Sequence, residues 1–390
     1  MKEFNASLRV AFLGVGLFCG VATAGTRYLS DVPAWNALGT REEGVRLFKE
    51  KVFGVRSVER PKNLAFSFDA PDRVMMDGAA LRKLVRISYG GPFGTNSFRA
   101  VAFIPKTASA EKPVPAFVLI CNRDPGEDID PERVKKSGFW PAEEIVRRGF
   151  AAIAFFNGEI ALDRNTGNTD GVFACFEDVT VEYRPKNRWG DISAWAWGAS
   201  RVMDWIETEP TLDARHVAVV GHSRGGKTAL LAGVTDRRFA MACSNDSGCS
   251  GAKLNRLDLP KSEHLADICS VFPYWFAPNY IRWVNLDAEM PCDQHQFLAL
   301  MAPRLVAVAS ASEDAWAGQR GEYESCVRAS GAWEAQGLKG FVSDGFPQPD
   351  TAQQAGSVSY HLRAGKHNLT LFDWTRYMDF ADRHGWRRGK

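Results

Sequence analysis

Long hydrophobic runs are nearly absent from this 390-residue chain, and past residue 24 no segment approaches the ~20 apolar residues that a membrane-crossing helix requires. Charge of one sign is equally scarce. Forty-eight Lys and Arg against 46 Asp and Glu leave a formal +2, too weak a field to gather nucleic acid or an anionic membrane. The 8 cysteines include no C-x-x-C pair, so their spacing argues for no zinc site and defines no disulfide pattern. Internal repeats, low-complexity tracts and Ser/Gly/Pro linkers are missing too, which removes solenoids and any evident domain boundary. What is present is globular composition: 45% hydrophobic and 24% charged residues, with 35 Gly and 19 Pro, exclude collagen-like, coiled-coil and disordered chains. Aromatic residues reach 12%, including 12 Trp and 25 Phe. An aromatic-rich core accounts for much of this, and exposed rings of the same kind line sites for sugars and other flat ligands.

The first stretch reads as an address. Lys2 and Arg9 precede an apolar run from Val10 to Val21, and Ala22-Thr23-Ala24 supplies the small-x-small pattern of a cleavage site. Residues 1–24 are therefore expected to be a removed secretory signal, placing the protein in the periplasm or outside the cell, free of the membrane after cleavage. Phe18 before Cys19 argues against a lipoprotein. Loss of Lys2, Glu3 and Arg9 takes the charge from +2 to +1, and loss of Cys19 leaves 7 of the 8 cysteines, an odd number that predicts a free thiol or an intermolecular bridge.

The remaining chain, 25–390, reads as a single α/β domain. A short amphipathic helix over Arg41–Phe53 is followed by an antiparallel pair at a sheet edge, Leu81–Ile87 and Phe98–Ile104, around the Gly-Pro-rich turn at 90–94. Apolar runs at Pro115–Ile120, Phe150–Phe156, His216–Val220, Phe239–Cys243 and Leu305–Ala309 predict strands buried on both faces. Helical patterns at Pro141–Arg148, Ile192–Glu207 and Lys227–Val234 lie between them. Such alternation means crossover connections and a mostly parallel sheet.

One segment matches two motifs. Gly221-His-Ser-Arg-Gly225 fits G-x-S-x-G, a strand-to-helix turn that lifts a serine hydroxyl above a sheet. Gly221 through Thr228 also fits G-x-x-x-x-G-K-[ST], the phosphate-cradling loop. A secretory signal sends the chain where nucleoside triphosphates are scarce, and several strands precede this one, whereas phosphate loops usually follow the first strand. The serine reading also demands an acid and then a histidine after Ser223, each past a strand, and the chain supplies both. Among 7 His, only His367 stands in a Gly-containing loop directly after the predicted last strand, Ser357–Leu362. The acid has two candidates. Asp314 follows Leu305–Ala309, and Asp246 follows the strand after the nucleophile helix; either carboxylate would hold the histidine tautomer and stabilise the imidazolium.

The ordered set Gly221–Lys227, Ser244-Asn-Asp-Ser-Gly-Cys249, Phe272-Pro-Tyr-Trp-Phe276, Asp293-Gln-His295, Ala302-Pro-Arg304, Glu313-Asp-Ala-Trp316 and Tyr360–His367 followed by Asp373-Trp374 resembles the bacterial glucuronoyl esterases of carbohydrate esterase family 15. The resemblance runs from about Arg41 to the C-terminus. It implies an α/β-hydrolase fold, a mostly parallel central sheet with antiparallel N-terminal strands and helices on both faces. It further implies cleavage of the ester joining (4-O-methyl)glucuronic acid of xylan to a lignin alcohol, with no metal or other cofactor. Carried onto this chain, Ser223 would be the nucleophile, His367 the base and Arg224 an oxyanion donor. Lys227, Glu263 and Trp316 would bind the sugar. Many members carry Glu where this chain has the shorter Asp246, which shifts the expectation for the acid toward Asp314. Within enzymes the competing expectation is a deacetylase acting on acetylated xylan, since a Ser-His-acid set fixes acyl transfer and not the acyl group. From another class, an inactive carbohydrate-binding relative is the competitor.

Overall fold

The structure is a computed structural model and describes residues 32–387. The signal reading of residues 1–24, with Cys19, lies outside that range. Eleven strands of the described residues join in one mixed sheet. They are β1 (Ala65–Phe68), β2 (Arg73–Met75), β3 (Ala80–Gly90), β4 (Thr95–Pro105), β5 (Val114–Cys121), β6 (Ala151–Phe156), β7 (Leu212–His222), β8 (Met241–Asn245), β9 (Leu305–Ala311), β10 (Thr351–Gln353) and β11 (Val358–Arg363). The order is β1-β3-β4-β6-β5-β7-β8-β9-β11-β10, with β2 beside β3. From β6 to β11 every neighbouring pair is parallel. The N-terminal strands and β10 pair antiparallel.

Alternation along each central strand builds the two cores. In β5, Ala116, Val118 and Ile120 enter one hydrophobic cluster while Phe117, Leu119 and Cys121 enter the other, as a period of two dictates for a strand covered on both faces. The first cluster receives Trp195, Val202 and Ile206 of the helix Asp191–Ile206, and Leu230 and Val234 of the helix Arg224–Thr235. The second receives Ile145 of the helix Ala142–Arg147 and Trp374, Tyr377 and Phe380 of the helix Leu371–Arg383. Most of the 12 Trp therefore serve packing: Trp140, Trp189, Trp195, Trp197, Trp205, Trp333 and Trp374 are all fully buried.

The structure corrects the edge. β3 and β4 pair antiparallel with Ile87 opposite Phe98, but β1 and β2 lie outside β3. Those strands are three or four residues long and mostly exposed, so they carry no alternating signal. The helix predicted over Arg41–Phe53 is α-helical to Phe48 and closes with a π turn, Lys49–Phe53. The seven described cysteines are all free and buried, so none forms a bridge within this range.

Parallel strands bring their C-terminal ends, and the loops that follow, to one rim of the sheet. Ser223 follows β7, Asp246 follows β8, Asp314 follows β9 and His367 follows β11. The turn after β7 depends on Gly221, where an added Cβ would sit 1.9 Å from the carbonyl oxygen of Gly225. That oxygen belongs to backbone inside the helix and cannot step aside. Gly221→Ala should destabilise the fold by at least about 2 kcal/mol in urea unfolding. A change within about 0.5 kcal/mol of the parent would contradict this packing.

Candidate active site

Ser223 has φ 57° and ψ −124°, a conformation rare for a non-glycine residue. The surrounding backbone fixes it: the Ser223 amide donates to Asn245 O at 2.8 Å, and Ser223 O accepts from the Gly226 amide at 2.8 Å. The side chain stands half-buried at the N-terminus of the helix Arg224–Thr235. Ahead of it His222 is buried, its Nδ1 2.6 Å from Asn245 Oδ1. Burial first, then its neighbours His367, Arg123 and Arg224, hold the His222 imidazole well below its usual range.

His367 packs on this residue, the two rings 4.3 Å apart between centroids. Its Nδ1 lies 2.5 Å from Asp314 Oδ2, and its side chain is 43% exposed against 6% for Asp314. Among the described residues no hydrogen bond joins Ser223 to His367. The other six histidines are engaged elsewhere: His216 with Asp213, His222 with Asn245, His264 with Asp258, His295 with Pro33 O, His361 with Asp373, and His384 with Gly356 O.

The second candidate acid does something different. Asp246 Oδ1 accepts from the Ala311 amide at 2.6 Å, while Oδ2 accepts from the Asn368 amide at 3.4 Å. It thus ties the start of the acid loop to the residue after His367. Burial first, then the carboxylates of Glu322, Asp314 and Asp373, push its pKa well above the ordinary range. Asp246, Asp314 and His367 have donor atoms within 4.8 Å of one another, spacing that would suit a metal ion. Those donors are already engaged, Asp314 by His367 and Asp246 by two backbone amides.

Three residues that sequence reasoning missed support the site, two of them by holding these loops. Glu322, fully buried, accepts from the Ser247 amide (2.9 Å), the Ser247 hydroxyl (3.0 Å), the Gly248 amide (2.9 Å) and the Ser310 hydroxyl (2.5 Å). Burial pushes its carboxyl up to about 7, with the Ser310, Gly248 and Ser247 hydrogen bonds acting the other way. Arg363 donates to the carbonyls of Ala364, Lys366 and Asn368 and pairs with Asp373, which closes the histidine loop around His367. Asp163 pairs with Arg224. Glu322 and Asp163 sit in no local motif, and Arg363 lies within the Tyr360–His367 stretch without a role that the sequence assigns.

The predicted sugar-binding residues meet on one side of the helix. Lys227 is buried, donates to the carbonyls of Ser247 and, at 2.7 Å, Cys249, and lies 3.7 Å from Glu263 Oε2. The Glu263 amide donates to Trp316 O at 2.8 Å, and Trp316 itself is 52% exposed. An ammonium bound to carbonyls and facing a carboxylate is not the cation of a phosphate cradle.

Comparison with known proteins decides between the motifs. The family described as "Glucuronyl esterase, fungi" matches residues 95–337. A curated carbohydrate esterase, MZ0003, from an unknown prokaryotic organism is 33% identical over 93% of this chain and 88% of its own length. This chain belongs to the glucuronoyl esterase family, carbohydrate esterase family 15. A glucuronoyl esterase from Solibacter usitatus superposes with TM-score 0.80 at 33% identity, covering 91% of this chain and 93% of that one. A CE15 esterase from a marine bacterial metagenome gives TM-score 0.76 at 32% identity over 88% and 91% of the two chains. A glucuronoyl esterase thus replaces the phosphate-loop reading, and the mixed sheet is that of an α/β-hydrolase.

For the acids the geometry generates a contrast. Asp314→Ala should lower kcat for ester hydrolysis by roughly 10³-fold or more, since it strips His367 of its partner. Asp246→Ala should cost under about 10-fold in kcat while lowering the thermal midpoint more, because it cuts two loop anchors. Equal small losses in turnover would contradict both assignments.

Proposed function

We propose that this chain is a serine esterase that hydrolyses the ester between a glucuronic acid and an alcohol through an acyl-enzyme. One observation carries the reading: in a chain of this family, a serine held at a strained strand-to-helix turn directly follows His222, whose ring packs on His367, and His367 is paired with a buried aspartate. His367 Nε2 takes the Ser223 proton as Oγ bonds to the uronate carbonyl carbon. The resulting oxyanion is held by Arg224 and by backbone amides at the start of the helix. Collapse of the intermediate breaks the C–O bond to the alcohol, which leaves with the proton from His367. Water, deprotonated by the same imidazole, then releases the uronic acid and restores Ser223. Asp314 keeps Nδ1 protonated and stabilises the imidazolium in both steps. The Ser223 to His367 hydrogen bond forms when substrate arrives, as is common for catalytic contacts that are long in free enzymes.

Lys227, Glu263 and Trp316 are the proposed sugar contacts. The natural substrate is proposed to be glucuronoxylan esterified to lignin alcohols. The curated relative from Hypocrea jecorina, 31% identical over 57% of this chain and 51% of its own length, bears the name 4-O-methyl-glucuronoyl methylesterase. Among the described residues no helix is long and apolar enough to cross a membrane. Lys2, Arg9 and the small-x-small pattern at 22–24 support export to the periplasm or medium, and the one continuous sheet supports a single catalytic domain from residue 25 onward.

Ser223→Ala should lower hydrolysis of methyl glucuronate by ~10⁴-fold or more with the thermal midpoint nearly unchanged. Substantial turnover by that variant contradicts the mechanism. A parent enzyme that cleaves acetyl esters but neither methyl glucuronate nor methyl galacturonate contradicts the substrate.

A further inference from the structure

Arg224 is the residue after Ser223 and the first of the helix. Two contacts hold its guanidinium: an ion pair of the Nε side with the Asp163 carboxylate, and a hydrogen bond from Nη2 to Asn122 O at 3.0 Å. Nη1 has no partner among the described residues. Asp163 is itself seated, since its Oδ1 accepts the Trp275 indole N–H at 2.8 Å. Trp275 is buried, stacks on Phe272 with centroids 3.9 Å apart and planes 3° apart, and places its ring 5.7 Å from the Arg224 Cζ. A stacked aromatic pair therefore seats a carboxylate, which seats the partly exposed guanidinium of the residue that follows Ser223.

An unrestrained arginine side chain has many rotamers, and a donor that must be ordered during the reaction loses part of its benefit to that ordering. The carboxylate also has an opposing effect, because it offsets the positive charge that Arg224 presents to an oxyanion. The two effects differ in sign when Asp163 is removed. Loss of positioning slows the reaction, whereas relief of charge offset speeds it. The double anchoring of the guanidinium, by a carboxylate on one nitrogen and a carbonyl on another, makes orientation the larger effect.

We propose that Asp163, seated on Trp275, is a positioning residue for ester hydrolysis that aims the free edge of Arg224 at the acyl oxygen. This rests on the reading of Arg224 as an oxyanion donor given above. It assigns a role to the loop after β6, which no motif in the sequence marks.

Steady-state kinetics on methyl glucuronate with Asp163→Ala, Asp163→Asn, Trp275→Phe, Arg224→Ala and the Asp163→Ala/Arg224→Ala double variant test it. Asp163→Ala should lower kcat about 10-fold or more with KM changed under about 3-fold. In the Arg224→Ala background the same change should cost under about 2-fold. Trp275→Phe should lower kcat in the same direction by less. Should Asp163→Ala fold poorly, Asp163→Asn, which keeps an acceptor for the Trp275 indole, is read in its place and is expected to lower kcat likewise. Unchanged or raised kcat in a folded Asp163 variant, with Arg224→Ala impaired, overturns the positioning role alone. An equal loss in both backgrounds overturns it too, because Asp163 would then act without Arg224. Full activity of Arg224→Ala removes the oxyanion reading itself and this inference with it.

Discussion

The backbone at Ser223 occupies a region that costs about 1–3 kcal/mol for a residue with a side chain, and the rest of the site depends on that cost being met by packing. Three glycines permit it. Gly221 and Gly225 approach so closely that a methyl on the first would collide with the carbonyl of the second, and Gly226 packs against Ser247 and the Asn245 carbonyl. The helix beyond is driven onto the sheet by Leu230 and Val234. Packing of the helix therefore fixes the turn, and the turn fixes the direction of the serine.

Around that point the electrostatics are layered. His367 is partly exposed and paired with a largely buried Asp314. Behind them Asp246 and Glu322 are buried deeper, with both carboxyls pushed up by desolvation. These inner acids act mainly as acceptors for backbone amides of the loops after β8, β9 and β11. Arg363 supplies the matching donors, reaching three carbonyls of the histidine loop. The acid and the base are thus carried on loops stitched to one another as well as to the sheet.

The central strands were legible because their apolar runs are continuous, as burial on both faces requires, and the elbow was legible because strained turns restrict which residues fit. β1 and β2 were not, being short and exposed. Ser223 and His367 followed from motif and chain order, whereas Asp246 and Asp314 remained open because both follow a strand of the same sheet. Only the loop path decides which one contacts Nδ1. Glu322 and Asp163 were invisible for a different reason. Glu322 reaches Ser247 across 75 residues, and Trp275 reaches Asp163 across 112, so no local pattern marks either pair. Trp316 shows the converse: most tryptophans here are core, and it differs from them in being half exposed.

The central claim is that Ser223 is a nucleophile activated by His367. Reaction of the whole protein with a fluorophosphonate, followed by intact mass and peptide mapping, tests it directly. One adduct per chain on Ser223, lost in the His367→Ala variant, is the expected result. An unmodified Ser223, or an adduct that forms at the same rate without His367, would contradict it.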